Sequence, residues 1–222
     1  MSEEQQILDK FQELLEACRR IKPLSQQEEA EIIRAFAIAN KAHSGTRRKS
    51  GEPYIFHPLA VALIAVQEVG LGPIAVICAL LHDVVEDTDI TLDELRMIFG
   101  DRVATIVDGL TKIEDVMLLH QGDSKQAENY RKILLSMCDD AYVIFLKLCD
   151  RLHNMRTLGS MKDTKKIAIS SETQYLYIPL AHRLGLYSIK TELDVNAISV
   201  GFVKAPKALL EMLESIFNPK LP

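Results

Sequence analysis

The chain has 222 residues, 48% hydrophobic and 26% charged, with a formal net charge of −5, four cysteines and no tryptophan. That length supports one sizeable core or two small ones, and the composition is ordinary for a globular protein. The acidic balance excludes a general nucleic-acid-binding surface, though not a local basic pocket for a small anion.

From about Glu4 to Arg20, Ile7, Leu8, Phe11, Leu14, Leu15 and Cys18 recur at helical spacing. Pro23 ends this helix, and Ser25 with Glu28 forms a capping-box pattern that opens a second, expected to run to about His43. A polar loop follows, Ser44 to His57, in which Arg47, Arg48 and Lys49 are adjacent and Ser50-Gly51 comes next. Such a loop suits gripping phosphate and stacking on a flat ring, although three basic residues in a row are also common on solvated loops. His57-Pro58 then starts an apolar helix through Val66, with proline in its first turn.

After Gly70 and Gly72 the stretch from Ala75 to Asp89 begins as a buried helix and turns abruptly polar at His82-Asp83, with Glu86-Asp87 three and four residues beyond Asp83. Read as one continuous helix to about Asp87, it sets Asp83 beside Glu86 and Asp87. A solvated helix end capped by His82-Asp83 would carry the same letters. Thr91 and Glu94 form a second capping box for a helix to Phe99, and a short helix from Asp101 to Leu110 follows. Polarity predicts a loop over Glu114 to Lys125, and a helix is expected from about Gln126 to Cys138.

Ala141 to Leu152 is an apolar helix interrupted by Asp150, with Asn154 four residues on along the same face, while Arg151 and Arg156 are expected to pair elsewhere. One long helix over Lys165 to Arg183 and shorter ones over Ser188 to Val200 and Lys207 to Phe217 complete the chain. The prediction is all-α, a single helical bundle over residues 1–195 with a helical tail over 196–222.

The acidic start MSEEQQILDK is unlike a secretory signal, and no apolar run reaches the roughly 18 residues of a membrane span. Cys18, Cys78, Cys138 and Cys149 form no CxxC pair, and three lie in apolar helical runs. A reducing cytoplasm is the expected compartment, with no membrane and no direct nucleic-acid partner.

His57, His82-Asp83 and Asp150 are metal-type ligands set in apolar helical surroundings. Two imidazoles and two carboxylates suit Mn²⁺, Fe²⁺ or Zn²⁺ and, with open positions, phosphoryl chemistry. Glu86 and Asp87 are placed to orient or deprotonate water, and Arg48-Lys49-Ser50 to hold a polyanion opposite the metal. His43, His120, His153 and His182 are read as structural or exposed, His153 least firmly because it neighbours the Asp150 face.

The ordered set His57, His82-Asp83 and Asp150 resembles the ligand pattern of the HD-domain phosphohydrolases. More specifically, RKSGEPYIFHP (48–58), LLHDVVEDTDIT (80–91), VDGLTK (107–112), KLCDRLHNMRTL (147–158) and PLAHRLG (179–185) resemble the hydrolase domain of the RelA/SpoT family of the bacterial stringent response, over about Glu29 to Leu193.

The resemblance implies Mn²⁺-dependent removal of the 3′-pyrophosphate from guanosine 3′,5′-bispyrophosphate (ppGpp, or pppGpp), giving GDP or GTP and pyrophosphate. One metal would be held by His57, His82, Asp83 and Asp150, with Glu86 and Asp87 activating water. Arg48, Lys49, Ser50, Asn154 and Thr157 would line the nucleotide pocket. Full-length family members continue into a synthetase domain, so a stand-alone hydrolase and a piece of a bifunctional enzyme are both open. An HD phosphohydrolase acting on another nucleotide such as NADPH, and a non-catalytic ppGpp sensor, are the competing readings.

Overall fold

The computed structural model describes residues 2–118 and 140–200, with backbone alone over 112–118. Helices are α1 (Glu3–Ile21), α2 (Gln26–Ala42), α3 (Phe56–Gln67), α4 (Pro73–Leu81), α5 (Val84–Asp87), α6 (Leu92–Phe99), α7 (Asp101–Leu118), α8 (Ala141–Arg156), α9 (Asp163–Glu172), α10 (Ile178–Arg183) and α11 (Tyr187–Ser199). The described residues contain no strand, only an isolated bridge between Arg47 and Pro53. The fold is all-α, as the periodicity predicts.

Both predicted capping boxes form. Ser25 accepts from the Glu28 amide while Glu28 returns to the Ser25 amide, and Thr91 and Glu94 do the same. Each satisfies two of the amides a helix start leaves unpaired. Phe11 and Phe36 stack with ring centroids 3.9 Å apart, fastening α1 to α2.

The centre belongs to α3 and α4. Residues 57–59 and 61–66 of α3 are buried, as is every residue of α4 from Ala75 to Leu81. Helices apolar on nearly every face must lie in the interior. Accordingly α3 packs on α4, α1 and α8, and α4 on α2, α7 and α8. Each fully buried leucine here, such as Leu59 or Leu80, contributes about 1.5–3 kcal/mol of burial free energy.

Three elements differ from expectation. The helix read as continuous from Ala75 to Asp87 is two, because α4 ends at Leu81 and the backbone at Asp83 opens to φ −95°, ψ −7° before α5. The helix expected to stop at Leu110 continues to Leu118, so Glu114 to Leu118 is helical. That segment, EDVML, has three apolar residues in five and no Gly or Pro, so nothing in it ends the helix, and the polarity of the expected loop lies further on. Gly109 lies close against α8, where a Cβ would stand 2.9 Å from Val143 Cγ2. The remainder of the expected loop to Lys125, the helix over Gln126 to Cys138 and the tail helix over Lys207 to Phe217 lie outside the described residues.

The long helix expected over Lys165 to Arg183 begins at Asp163 and passes through a π turn, Thr173–Tyr177, between α9 and α10. Pro179 has no amide to give and its ring crowds the preceding turn, and a widened turn relieves both. Thr173 Oγ1 donates to the Ile169 carbonyl at 2.7 Å within this stretch.

Candidate metal centre

Four chain segments converge at one end of α3, α4 and α8. His57 is the second residue of α3, and His82 and Asp83 form the joint between α4 and α5. Asp150, His153 and Asn154 lie on one face of α8, three and four residues apart. Arg48 and Tyr54 come from the loop before α3. That loop is folded tightly by Tyr54 N–H to the Thr46 carbonyl (2.9 Å), Arg48 N–H to Glu52 (2.9 Å) and Gly51 N–H to Arg48 (2.9 Å). Gly51 takes φ +91°, which a side chain would resist. Arg47 braces the loop from outside, donating to the Gly51 carbonyl at 2.7 Å and to both carboxylate oxygens of Glu3 at 2.9 Å.

The four predicted ligands are brought together. His57 Nε2 lies 3.2 Å from Asp150 Oδ1 and 3.6 Å from Asp83 Oδ2, and His82 Nε2 lies 3.1 Å from Asp83 Oδ1 and 3.3 Å from His57 Nε2. One donor atom each from His57, His82 and Asp150 falls within a span of 4.8 Å. Donors about 2.0–2.2 Å from a common ion sit roughly 3–4 Å apart, so the spacing fits one divalent cation.

The outer hydrogen bonds fit as well. His82 Nδ1 is 2.7 Å from the Ala79 carbonyl, which fixes the proton there and leaves the Nε2 lone pair inward. Asn154 Nδ2 donates to Asp150 Oδ1 at 2.7 Å, and Tyr54 Oη donates to Asp83 Oδ2 at 2.7 Å.

Charge in this cluster is mutually compensated. Burial pushes the Asp150 carboxyl up, but the His57 hydrogen bond and charge, with Lys147 and His82, hold it well below the usual carboxylate range. Asp83 is likewise raised by burial and more strongly lowered by His82 and His57. Burial lowers His82, yet Asp83 and Asp150 outweigh it and hold the imidazole above its ordinary value. These are buried carboxylates and imidazoles tuned to one another, the condition under which burying them is tolerable.

Two residues that the sequence reading did not place in the site belong to it. His153 is read there as structural or exposed, yet its Nδ1 lies 2.8 Å from His57 Nδ1. Burial, then the His57 and Arg48 charges, push its pKa down to about 3, so the ring is neutral and can accept. Arg48 only donates, and its Nη1 is 3.0 Å from His57 Nδ1 and 3.1 Å from His153 Nδ1. Either imidazole can then carry the proton of the Nδ1–Nδ1 contact, and placed on His57 Nδ1 it leaves His57 Nε2 free for a cation. The usable signal was spacing, since His153 stands three residues after Asp150. Tyr54 carries no such signal, because its partner Asp83 is 29 residues away.

The predicted substrate residues divide. Arg48 and Asn154 are joined by Arg48 Nη2 donating to Asn154 Oδ1 at 2.8 Å, against the cluster itself. Thr157 caps α8 half-buried, its hydroxyl donating to the His153 carbonyl at 3.0 Å. Lys49 and Ser50 are exposed at the loop tip, and Glu86 and Asp87 are exposed on α5, one turn past Asp83. Arg151 and Arg156 pair elsewhere as expected, with Glu172 at 2.6 Å and with Glu192 and Glu68 at 2.6 and 2.9 Å. His43 is buried, His182 is exposed, and His120 lies outside the described residues.

A family model described as HD domain matches residues 35–187, within the span over which the motifs carry the resemblance. Among curated proteins, the guanosine-3′,5′-bis(diphosphate) 3′-pyrophosphohydrolase of Aquifex aeolicus (strain VF5) is 49% identical over 168 residues, covering 76% of this chain and 23% of that protein. The GTP pyrophosphokinase of Streptomyces coelicolor is 46% identical over 174 residues, 78% of this chain and 20% of that one. The bifunctional (p)ppGpp synthase/hydrolase SpoT of Escherichia coli (strain K12) is 45% identical over 171 residues, 77% of this chain and 24% of that one. The chain thus spans about a quarter or less of the length of these relatives. With residues 35–187, most of its length, matched by that family model, the chain belongs to the HD domain family.

Proposed function

We propose that the chain is a divalent-metal-dependent phosphohydrolase that removes the 3′-pyrophosphate of ppGpp or pppGpp, acting in the cytoplasm. The observation that carries this reading is the convergence of His57, His82, Asp83 and Asp150 beside the guanidinium of Arg48. The names of the relatives supply the substrate class. The buried thiols of Cys18, Cys78 and Cys149, unpaired and all shifted upward by burial, fit a reducing compartment.

His57, His82, Asp83 and Asp150 would hold one cation, Mn²⁺ on the family resemblance. When bound it supplies Lewis acidity toward a phosphoryl oxygen and toward water. The protein does the positioning. Ala79 fixes the His82 tautomer and His153 orients His57, while Tyr54 and Asn154 fix the two carboxylates. Arg48, with Asn154 and Thr157 on the α8 side, orients the nucleotide so that its 3′-pyrophosphate lies over the cluster.

Glu86 and Asp87, exposed one turn on, take the proton from the attacking water. The water oxygen bonds to the phosphorus carried by the 3′-oxygen, the bond between them breaks, and that oxygen is protonated as GDP or GTP and pyrophosphate leave.

The test is incubation of the purified chain with ppGpp and Mn²⁺, with and without chelator, alongside Asp83→Ala, with products resolved by anion exchange. Metal-dependent GDP and pyrophosphate, absent from Asp83→Ala, is the expected result. Binding without turnover would make the chain a sensor, and turnover of NADPH in place of ppGpp would replace the substrate.

A further inference from the structure

Helix α8 is surrounded by core through its middle, where Leu146, Leu148, Cys149 and Leu152 are all buried. Apolar packing has no direction, so burial on several faces says little about how the helix is turned about its axis. That turn matters, because Asp150, His153 and Asn154 enter the ligand cluster from one face.

One contact in the middle of α8 is both buried and directional. Arg151 leaves the helix about 100° round from Asp150. Its Nη2 lies 2.6 Å from Glu172 Oε2, and its guanidinium stands 4.2 Å from the centre of the Tyr177 ring. Glu172 and Tyr177 are five residues apart, and in a regular α-helix such positions diverge by about 140°. Between them runs the π turn, closed by Ile178 N–H to the Thr173 carbonyl, whose i→i+5 bonding brings positions five apart nearly into line. The widened turn that accommodates Pro179 therefore also gathers a carboxylate and an aromatic face around one planar guanidinium.

We propose that Arg151 is a positioning residue for the metal centre: held by Glu172 and the face of Tyr177, it sets the rotation of α8 at which Asp150 meets His57 and His82. This rests on the reading of that cluster as a cation site. Arg151 offers no ligand atom and acts through its neighbour Asp150. A rotation of α8 that took Asp150 out of its 3.2 Å contact with His57 would also have to draw a buried guanidinium away from both of its partners.

The test replaces the ion pair by apolar side chains, Arg151→Met/Glu172→Leu. Such an exchange is often neutral for stability, whereas removing one partner leaves a buried charge. Mn²⁺ is titrated calorimetrically into wild type, this variant, Arg151→Lys and Ser25→Ala, at a temperature where circular dichroism shows every chain folded. The expected Kd is weakened about tenfold in the double variant and less in Arg151→Lys, which keeps the charge but not the planar fork. Ser25→Ala, destabilised at a distance, should bind as wild type does. In the metal-free proteins the imidazole NMR resonances of His57 and His153 should move in the double variant, because α8 carries Asp150 and His153. A Kd within twofold of wild type, or unmoved resonances, would overturn the proposal. Should the double variant not fold, the isosteric Glu172→Gln replaces it, with a Kd about threefold weaker expected and an unchanged one overturning the clamp. Wild type that binds no Mn²⁺ would sink the cation-site reading, and the metal-free resonances would then decide whether Arg151 sets α8.

Discussion

Tyr54→Phe deletes one oxygen and leaves the ring, and with it the stack on His43 at 4.7 Å and the Arg48 guanidinium at 5.8 Å. What is lost is the hydrogen bond to Asp83 Oδ2 at 2.7 Å. A bond to a charged acceptor contributes about 1.5–3 kcal/mol, and Asp83 retains His82 at 3.1 Å, so the lower end of that range is expected. The free protein should therefore lose about 1.5–2 kcal/mol of stability. The larger consequence is for the cation, because an unanchored Asp83 carboxylate must be ordered on binding. Outer partners of metal ligands typically account for 10–100-fold in affinity. Calorimetric titration of Mn²⁺ into wild type and Tyr54→Phe should show a Kd weakened by about that factor. A Kd within twofold of wild type, with Asp83→Asn binding much more weakly in the same assay, would refute the role given to the hydroxyl.

Other outcomes follow from features away from that bond. His43 is buried with an unpartnered Nε2, and burial lowers its pKa below the ordinary value despite the Asp83 and Asp87 charges, His57 and His82 adding to the lowering. Its stabilising share is complete above the unfolded histidine pKa of about 6.5 and is lost as pH falls through its lower folded value. His43→Phe, which keeps a ring on Tyr54, should flatten the fall in Tm as pH drops below about 6.5, and an unchanged slope would contradict this. Gly109→Ala should destabilise by about 1–2 kcal/mol through the clash with Val143, partly offset by helix propensity, and Gly109→Ala/Val143→Ala should relieve the clash without the two effects adding. Ser25→Ala removes a capping box and should cost about 1 kcal/mol in denaturant titrations, with turnover unchanged.

Much of this was legible in the residues, for identifiable reasons. Caps are local, so Ser25–Glu28 and Thr91–Glu94 could be read from spacing alone. The all-apolar faces of α3 and α4 announced a buried centre, and charged letters inside apolar helices marked residues that meet in one buried cluster. What escaped depends on geometry between distant segments. Tyr54 meets Asp83 only because the loop before α3 folds back on itself, and nothing in a tyrosine predicts a carboxylate partner. His153 was assigned a bland role because a histidine's use depends on what faces it. The break after Leu81 was hidden because His82 and Asp83 are compatible with a helix in sequence, and their backbone angles stay in the right-handed helical region across it.

That break governs which changes in chain length the site can survive. Successive residues of a helix diverge by about 100°, and across this joint His82 Nε2 and Asp83 Oδ1 come within 3.1 Å of each other. Gly72 at the start of α4 and its fully buried run set the rotation at which the pair emerges. Inserting or deleting a single residue between Pro73 and Leu81 would swing both side chains by about 100° and shift them by about 1.5 Å, separating them from His57 and Asp150 even if the core repacked. The turn between α1 and α2 faces no such restriction, since lengthening a surface loop adds only a few tenths of a kcal/mol for each modest extension. Helix α4 is therefore a spacer of fixed length, and length variants of this chain that keep their metal should differ in their connections but not there.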